Sequence, residues 1–480
     1  MKCCLTVIVV CALAGHVVLA QWEDDVRLTN NPAASLTSFP CGRCLAASGN
    51  VLHAVWYDYR ESSGDVFHKR STDNGSSWEG DTRLTTVGDS SETPAVAAAG
   101  QTVHVVWANN SDMQVQYRRS ADGGTNWGTV VPLTTGSTYT LYPSVATEGN
   151  NVHVVWIDAR PATNYLPEVY YRRSTDGGST WQSEARLSTG QSSTRQPAIA
   201  VAGDLVHVVW DDGRHGLNAE IYYRRSTDGG ATWQSETRFT DASGSSFNGV
   251  VAATGQHAYA AWDDDRDGNW EIYCKRSTDA GANWSADTRL TNNIADSYFA
   301  SIAAAGNCVH ITWEDARDVN LEEYHKRSAD YGQTWSDDTR LTNSTGHSSY
   351  NTVAVSGTAV HVLWHDNREG NWEIYYKRNL TGNPGVEAAP NTEFRVPNRG
   401  ATIVRGVLHL RPSPFLLPLG EGQEVREWNL LDVSGRRAMA LQPGPNDVSR
   451  LAPGIYFLVR GESGAASLGH QVLRKVVIAR

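Results

Sequence analysis

The chain has 480 residues, a formal net charge of −11, 43 glycines and 17 tryptophans. That length is too great for one ordinary core and suggests a large repeat domain joined to something smaller. The acidity argues against nucleic acid, because a phosphate-binding surface needs a basic stripe.

Residues 1–20 read as a secretory signal, with Lys2, an apolar run from Leu5 to Ala14 and a small-residue exit at Val18-Leu19-Ala20. No later apolar run is long enough to span a bilayer as a helix, so no transmembrane segment is expected in the mature chain. Cys3, Cys4 and Cys11 leave with the signal, and Cys41, Cys44, Cys274 and Cys308 are too few for a disulfide framework in so long a chain. Cys41-Gly-Arg-Cys44 reads as a local disulfide or as two buried thiols.

From Gln21 to Asn379 the sequence repeats. Ser-x-Asp-x-Gly-x-x-Trp begins at Ser71, Ser120, Ser174, Ser226, Ser277 and Ser328, with its tryptophans 49 to 54 residues apart. A second mark, "VHVVW" and its relatives, ends at Trp56, Trp107, Trp156, Trp210, Trp262, Trp313 and Trp364. Each unit reads as four short strands; in the third they are "PSVATEG", Asn151 to Trp156, Glu168 to Ser174 and Trp181 to Ser188. Short strands at this period, with turn signals and no helical periodicity, predict the blades of an all-β propeller.

"WEDDVRLT" at Trp22 to Thr29 matches the fourth strands "WEGDTRLT" and "WSDDTRLT", whereas the seventh unit ends at Asn379 without one. Pairing the two fragments closes a ring of seven blades over residues 21–379 and removes its open edges. Residues 380–400 form a Pro, Gly and Asn-bearing linker, and residues 401–480, with alternating strands and Gly/Pro turns, predict a small Ig-like β-sandwich.

In the eight-residue turn the Asp accepts backbone N–H bonds and the Gly takes a positive φ. Its repetition marks Asp73, Asp122, Asp176, Asp228, Asp279 and Asp330 as structural. In a meander the opposite face carries the second-to-third loops and blade crossovers, and there Trp-x-Asp-x-Arg recurs: Asp58/Arg60, Asp158/Arg160, Asp212/Arg214, Asp264/Arg266, Asp315/Arg317 and Asp366/Arg368, with Asn109 and Asn110 breaking the rule. These are repeated ion pairs or an arginine-rich face for carboxylated sugars. His53, His104, His153, His207, His310 and His361 repeat as a strand position rather than as metal ligands.

A site belongs where blades differ. The residue fourteen before each second-strand tryptophan is Gly42, Thr93, Tyr142, Gln196, Asn248, Phe299 or Tyr350, beside Glu92, Arg195, Phe247, Tyr298 and His347. Tyr142, Arg195, Phe299 and Tyr350 are the candidate ligand-binding residues, suited to stacking on sugars or a peptide. Asp263, Asp265 and Asp267 imitate the start of a calcium loop but lack its bidentate Glu, so no metal and no cofactor is expected.

The repeated turn resembles the Asp box of the sialidase or BNR-repeat propellers, and the resemblance covers residues 21–379. It implies an exo-acting glycosidase using an Arg triad, a Tyr with a Glu partner and an Asp acid/base. The one lookalike of the family's Phe-Arg-Ile-Pro segment is "FRVP" at Phe394 to Pro397, after the last blade, and the family's catalytic propellers have six blades. No catalytic residue is therefore carried over. The tail resembles the C-terminal sorting domain of type IX secretion cargo through "PSPF", "LLDVSGRR", "LAPGIYFLVR" and "RKVVIAR". This implies passage across a Gram-negative envelope on the type IX machinery, to a secreted or cell-surface destination. Together these features read as a glycan- or protein-binding propeller, with a sialidase-like hydrolase and a passive display module as the alternatives.

Overall fold

Each run that ends in a repeating tryptophan forms the second strand of an antiparallel sheet. The computed structural model describes residues 22–382, apart from 40–41, 62, 87, 136–138, 161–162, 191–193 and 215–217, and the backbone of seven strands beyond residue 400. The chain divides into two compact units, Met1–Ala388 and Ala389–Arg480. Among the described residues there is no α-helix.

In the first unit seven sheets form a propeller. In blade two the strands are Ser91–Ala99, Thr102–Asn109, Gln114–Ser120 and Val131–Pro132, hydrogen-bonded in that order. First strands are rich in alanine because they converge on the axis, where Ala97, Ala146, Ala200, Ala252, Ala303 and Ala354 wall a central channel. Second strands are buried on both faces, which is why they read as valine runs. Neighbouring blades share their cores. Val106, Val115 and Leu133 of blade two pack with Val152, Val154 and Trp156 of blade three. All seven second-strand tryptophans are at most 1% exposed, and truncating one to alanine costs about 3–5 kcal/mol.

The ring closes as the sequence predicts. Val26–Arg27 is the outer strand of blade seven, with Val26 opposite Tyr376 and Arg27 opposite Tyr375. Backbone bonds from Glu23 N to Arg378 O (3.0 Å) and from Leu28 N to Ile374 O (2.7 Å) extend the seam.

One insertion breaks the repeat. The first strands of blades two to seven open sixteen or seventeen residues before their tryptophans, as at Ser91 before Trp107, but Ser35 stands twenty-one before Trp56. In six blades the first strand carries a one-residue bulge whose residue is left-handed: Thr93, Tyr142, Gln196, Asn248, Phe299 and Tyr350, with φ between 47° and 56°. Blade one has a loop there, between Ser35–Leu36 and Leu45–Ser48. Gly42, which counting back from Trp56 equates with the bulge residues, therefore does not stand in for them. Thr37 does, because the five extra residues lie between the two.

In the second unit Ala401–Val404 pairs in parallel with Gln471–Ile478, and Gly454–Gly461, Glu427–Leu431 and Arg437–Leu441 complete that sheet. Val407–Leu410 and Gly444–Asp447 form a separate pair. Residues 1–21, which include the expected signal, together with Cys41 and residues 383–400, lie outside the described residues.

Candidate binding site at the channel mouth

The six repeated turns are locks between blades. In the third, Asp176 Oδ1 accepts from Thr180 N (2.8 Å), Ser179 N (3.0 Å) and Ser174 Oγ (2.7 Å), and Oδ2 from Thr180 Oγ1 (2.6 Å). These bonds hold its carboxyl well below the usual carboxylate range. Gly178 has φ 80°, and a Cβ there would lie 1.8 Å from Tyr117 Oη of the preceding blade. Trp181 meets the Tyr117 ring edge-on at 4.9 Å, and Arg119 Nη1 donates to Gly177 O at 2.7 Å. Tyr117 in turn lies 2.8 Å from His104 Nδ1. The repeated histidines thus serve packing: His153, His207 and His361 meet a Tyr hydroxyl, and His53 and His310 meet His68 and His325. Gly177 N bonds Asn150 O of the first-to-second turn, which puts both kinds of turn on one face.

On the opposite face the Trp-x-Asp-x-Arg arginines are committed. Arg60 bridges Asp58 (2.7 Å) and Asp81 (2.9 Å), and its guanidinium stacks 4.1 Å above the Phe67 ring. Arg160, Arg214, Arg266, Arg317 and Arg368 repeat the arrangement over Tyr170, Tyr222, Tyr273, Tyr324 and Tyr375, with the second acid three residues after a fourth-strand tryptophan. The first acid also accepts from the second-strand indole, as in Trp262 Nε1 to Asp264 Oδ2 at 2.9 Å. Of the two readings of these arginines, the ion-pair lock describes the geometry. Blade two has lost all four parts together, with Asn109, Ser111, Gln116 and Val130 in their places.

A pocket of 650 Å³ opens on this face over blades four to seven. Its walls are Phe247, Trp270, Tyr298, Phe299 and Tyr350, with Arg195, Gln196 and Asn248 among the polar groups. Of the four candidate residues, Arg195, Phe299 and Tyr350 line it. Tyr142 does not, but packs edge-on against Phe39 at 5.4 Å. Phe39, carried in by the blade-one insertion, also meets Tyr350 (4.9 Å) and Phe299 (6.2 Å) and forms the aromatic floor. Glu92 lies elsewhere, accepting from Tyr59 Oη at 2.9 Å.

Beneath the aromatic walls lies a layer of acids that the count from the tryptophan missed. Asp211, Asp263 and Glu314 each follow a second-strand tryptophan directly, and each holds the bulge of the next blade. Asp211 accepts from Asn248 N (3.1 Å) and Gly249 N (3.3 Å), Asp263 from Phe299 N (3.0 Å) and Asn248 Nδ2 (2.6 Å), and Glu314 from Tyr350 N. In blade seven His365 takes this place, with Thr37 N 3.2 Å from its Nδ1. The signal was available: this position runs Tyr57, Ala108, Ile157, Asp211, Asp263, Glu314, His365, and is ionisable in the four consecutive blades four to seven. Burial pushes Asp211 and Asp263 up to about 7 and Glu314 to about 8. All three are at most 2% exposed. Burial likewise pushes the Tyr298 and Tyr350 phenols up to about 12. The calcium-like aspartates serve separate partners: Asp265 accepts from Ser245 N and Asp267 from Tyr273 Oη.

No family model and no curated protein matches the chain. Among solved structures it is similar to the PL25 ulvanlyase, a polysaccharide lyase bound to -[GlcA(1-4)Rha3S]-, with TM-score 0.54 and 11% identity over 74% of this chain and 95% of that one. It also aligns with the Hadza microbial sialidase Hz136, with TM-score 0.46 and 15% identity over 71% and 66% of the two chains. A protein of unknown function from Dyadobacter fermentans gives TM-score 0.48 and 14% identity over 76% and 100%. At 11% identity the likeness to the lyase is one of fold: the chain is a seven-bladed β-propeller.

Proposed function

We propose that the propeller binds a saccharide in the pocket at its channel mouth and is exported to the cell surface or medium by its C-terminal unit. One observation carries the first part: five aromatic side chains from blades five to seven surround a cavity whose one lining cation among the described residues is Arg195, which suits stacking on sugar faces with a few orienting polar groups. The lyase of like fold is itself bound to an acidic saccharide. The acids beneath the pocket support binding rather than turnover, because they are committed to backbone N–H groups and have almost no accessible surface. Support for export comes from the signal-like residues 1–20 and the sorting-domain motifs, with a β-sandwich as the form of the tail.

A hydrolase is the second reading, favoured by carboxyl groups that titrate near neutrality, as a general acid requires. A glycan array on the purified propeller, followed by titration of hits into Trp270→Ala and Arg195→Ala, tests binding; no hit, or full affinity in both variants, removes the pocket from consideration. Release of sugar from the same hits, or of sialic acid from a fluorogenic sialoside, decides for the hydrolase.

A further inference from the structure

We propose that the central channel holds a small inorganic anion on the Arg43 guanidinium. The channel is separate from the saccharide pocket. It offers 180 Å³, room for an ion with several waters, and its walls are first-strand alanines and valines of all seven blades. Arg43 stands just past the insertion that brings Phe39 into the pocket, and it lines this channel. At the corresponding register, thirteen residues before the tryptophan, the other blades have Pro94, Pro143, Pro197, Gly249, Ala300 and Asn351.

A guanidinium has five N–H donors. Arg43 gives one bond among the described residues, from Nη2 to Val251 O at 2.6 Å, and enters no ion pair there. The lock arginines Arg60 and Arg214, by contrast, each hold two carboxylates. Desolvation alone pulls Arg43 down, to about 10. No carboxylate among the described residues balances this half-buried cation, and a mobile anion with its water supplies that charge and accepts the N–H groups that face the channel.

The test is chloride NMR line width on the full chain, with bromide and sulfate as competitors. Wild-type protein is expected to broaden the chloride signal, bromide to reverse it, and folded Arg43→Gln to lose at least ten-fold in affinity, while Arg43→Lys retains binding. No broadening by wild-type protein, or equal broadening by folded Arg43→Gln, overturns the site. Should Arg43→Gln fail to fold, bromide anomalous scattering from wild-type crystals replaces it: a peak against the Arg43 guanidinium supports the proposal, and peaks elsewhere only overturn it. None of these readouts depends on the saccharide pocket.

Discussion

Arg368 donates to Asp25 Oδ2 at 2.7 Å, across 343 residues of sequence. Asp25 is the second acid of the blade-seven lock, supplied by the N-terminal strand three residues after Trp22, and it also receives Lys377 at 2.9 Å. Deleting Trp22 to Thr29 should expose a sheet edge and cause aggregation or a clear fall in melting temperature. Asp25→Ala alone should cost on the order of 1–2 kcal/mol, since both cations are partly buried. A monomeric deletion variant with an unchanged melt would contradict the seam.

Blade two offers the converse experiment. Trp107 Nε1 has no hydrogen-bond partner among the described residues, and Asn109 stands where other blades have the accepting Asp. Asn109→Asp alone buries a carboxylate without its guanidinium and should destabilise by about 2–4 kcal/mol. Adding Ser111→Arg should recover much of that loss. A double-mutant cycle in urea measures the coupling; strict additivity would mean that the lock is not a unit.

Stability should fall on acidification below neutrality. Burial holds His53, His153, His207 and His361 at about 4 and His104, His310 and His365 at about 3. Below the unfolded value near 6.5 the unfolded chain takes up these protons and the folded chain does not, so each histidine costs about 1.4 kcal/mol per pH unit until its folded value is reached. The raised acids act oppositely: Asp211, Asp263 and Glu314 favour the folded state as pH falls from about 8 toward 4. Burial also lowers His68 and His325 and raises Glu323, so nine histidines outweigh four acids. Melting curves at pH 7, 6 and 5 should descend, and Asp263→Asn should gain stability relative to wild type at pH 8.

The two faces should separate in mutants. Asp176→Ala should lower the melting temperature by freeing a turn that locks two blades, and leave saccharide affinity intact. Trp270→Ala should weaken binding at least ten-fold with little change in the melt. The reverse pattern, in calorimetry on folded proteins, would mean that the faces are exchanged.

Val319 is 92% exposed with φ 87°, at a position that is Gly268 in blade five and Gly370 in blade seven. A β-branched residue in that region is strained, so Val319→Gly should stabilise by about 1 kcal/mol. A lower melting temperature for this variant would show that the valine has a partner worth more than its strain.

Repetition made most of the fold legible. The turn, the tryptophans and the fragment at Trp22 each recur with the period, so the blades and the seam follow from spacing alone. The locks were half visible: Asp366 and Arg368 are close in sequence, but Asp25 joins them only once the ends of the ring pair. The site was legible where a bulge residue varies, as at Phe299 and Tyr350. It was hidden where variation fell on the residue after the tryptophan, as at Asp263, and where an insertion displaced the count, as at Phe39. An insertion leaves every local pattern intact and shifts the register between them.

The seam also sets an order in time. At about 5–20 residues per second, the roughly 350 residues between Asp25 and its partners take on the order of 20–70 s to synthesise. Throughout that interval the strand bearing Trp22 has no sheet to join. Ring closure is therefore the last pairing open to the propeller, and it is made by the strand that comes first in its sequence.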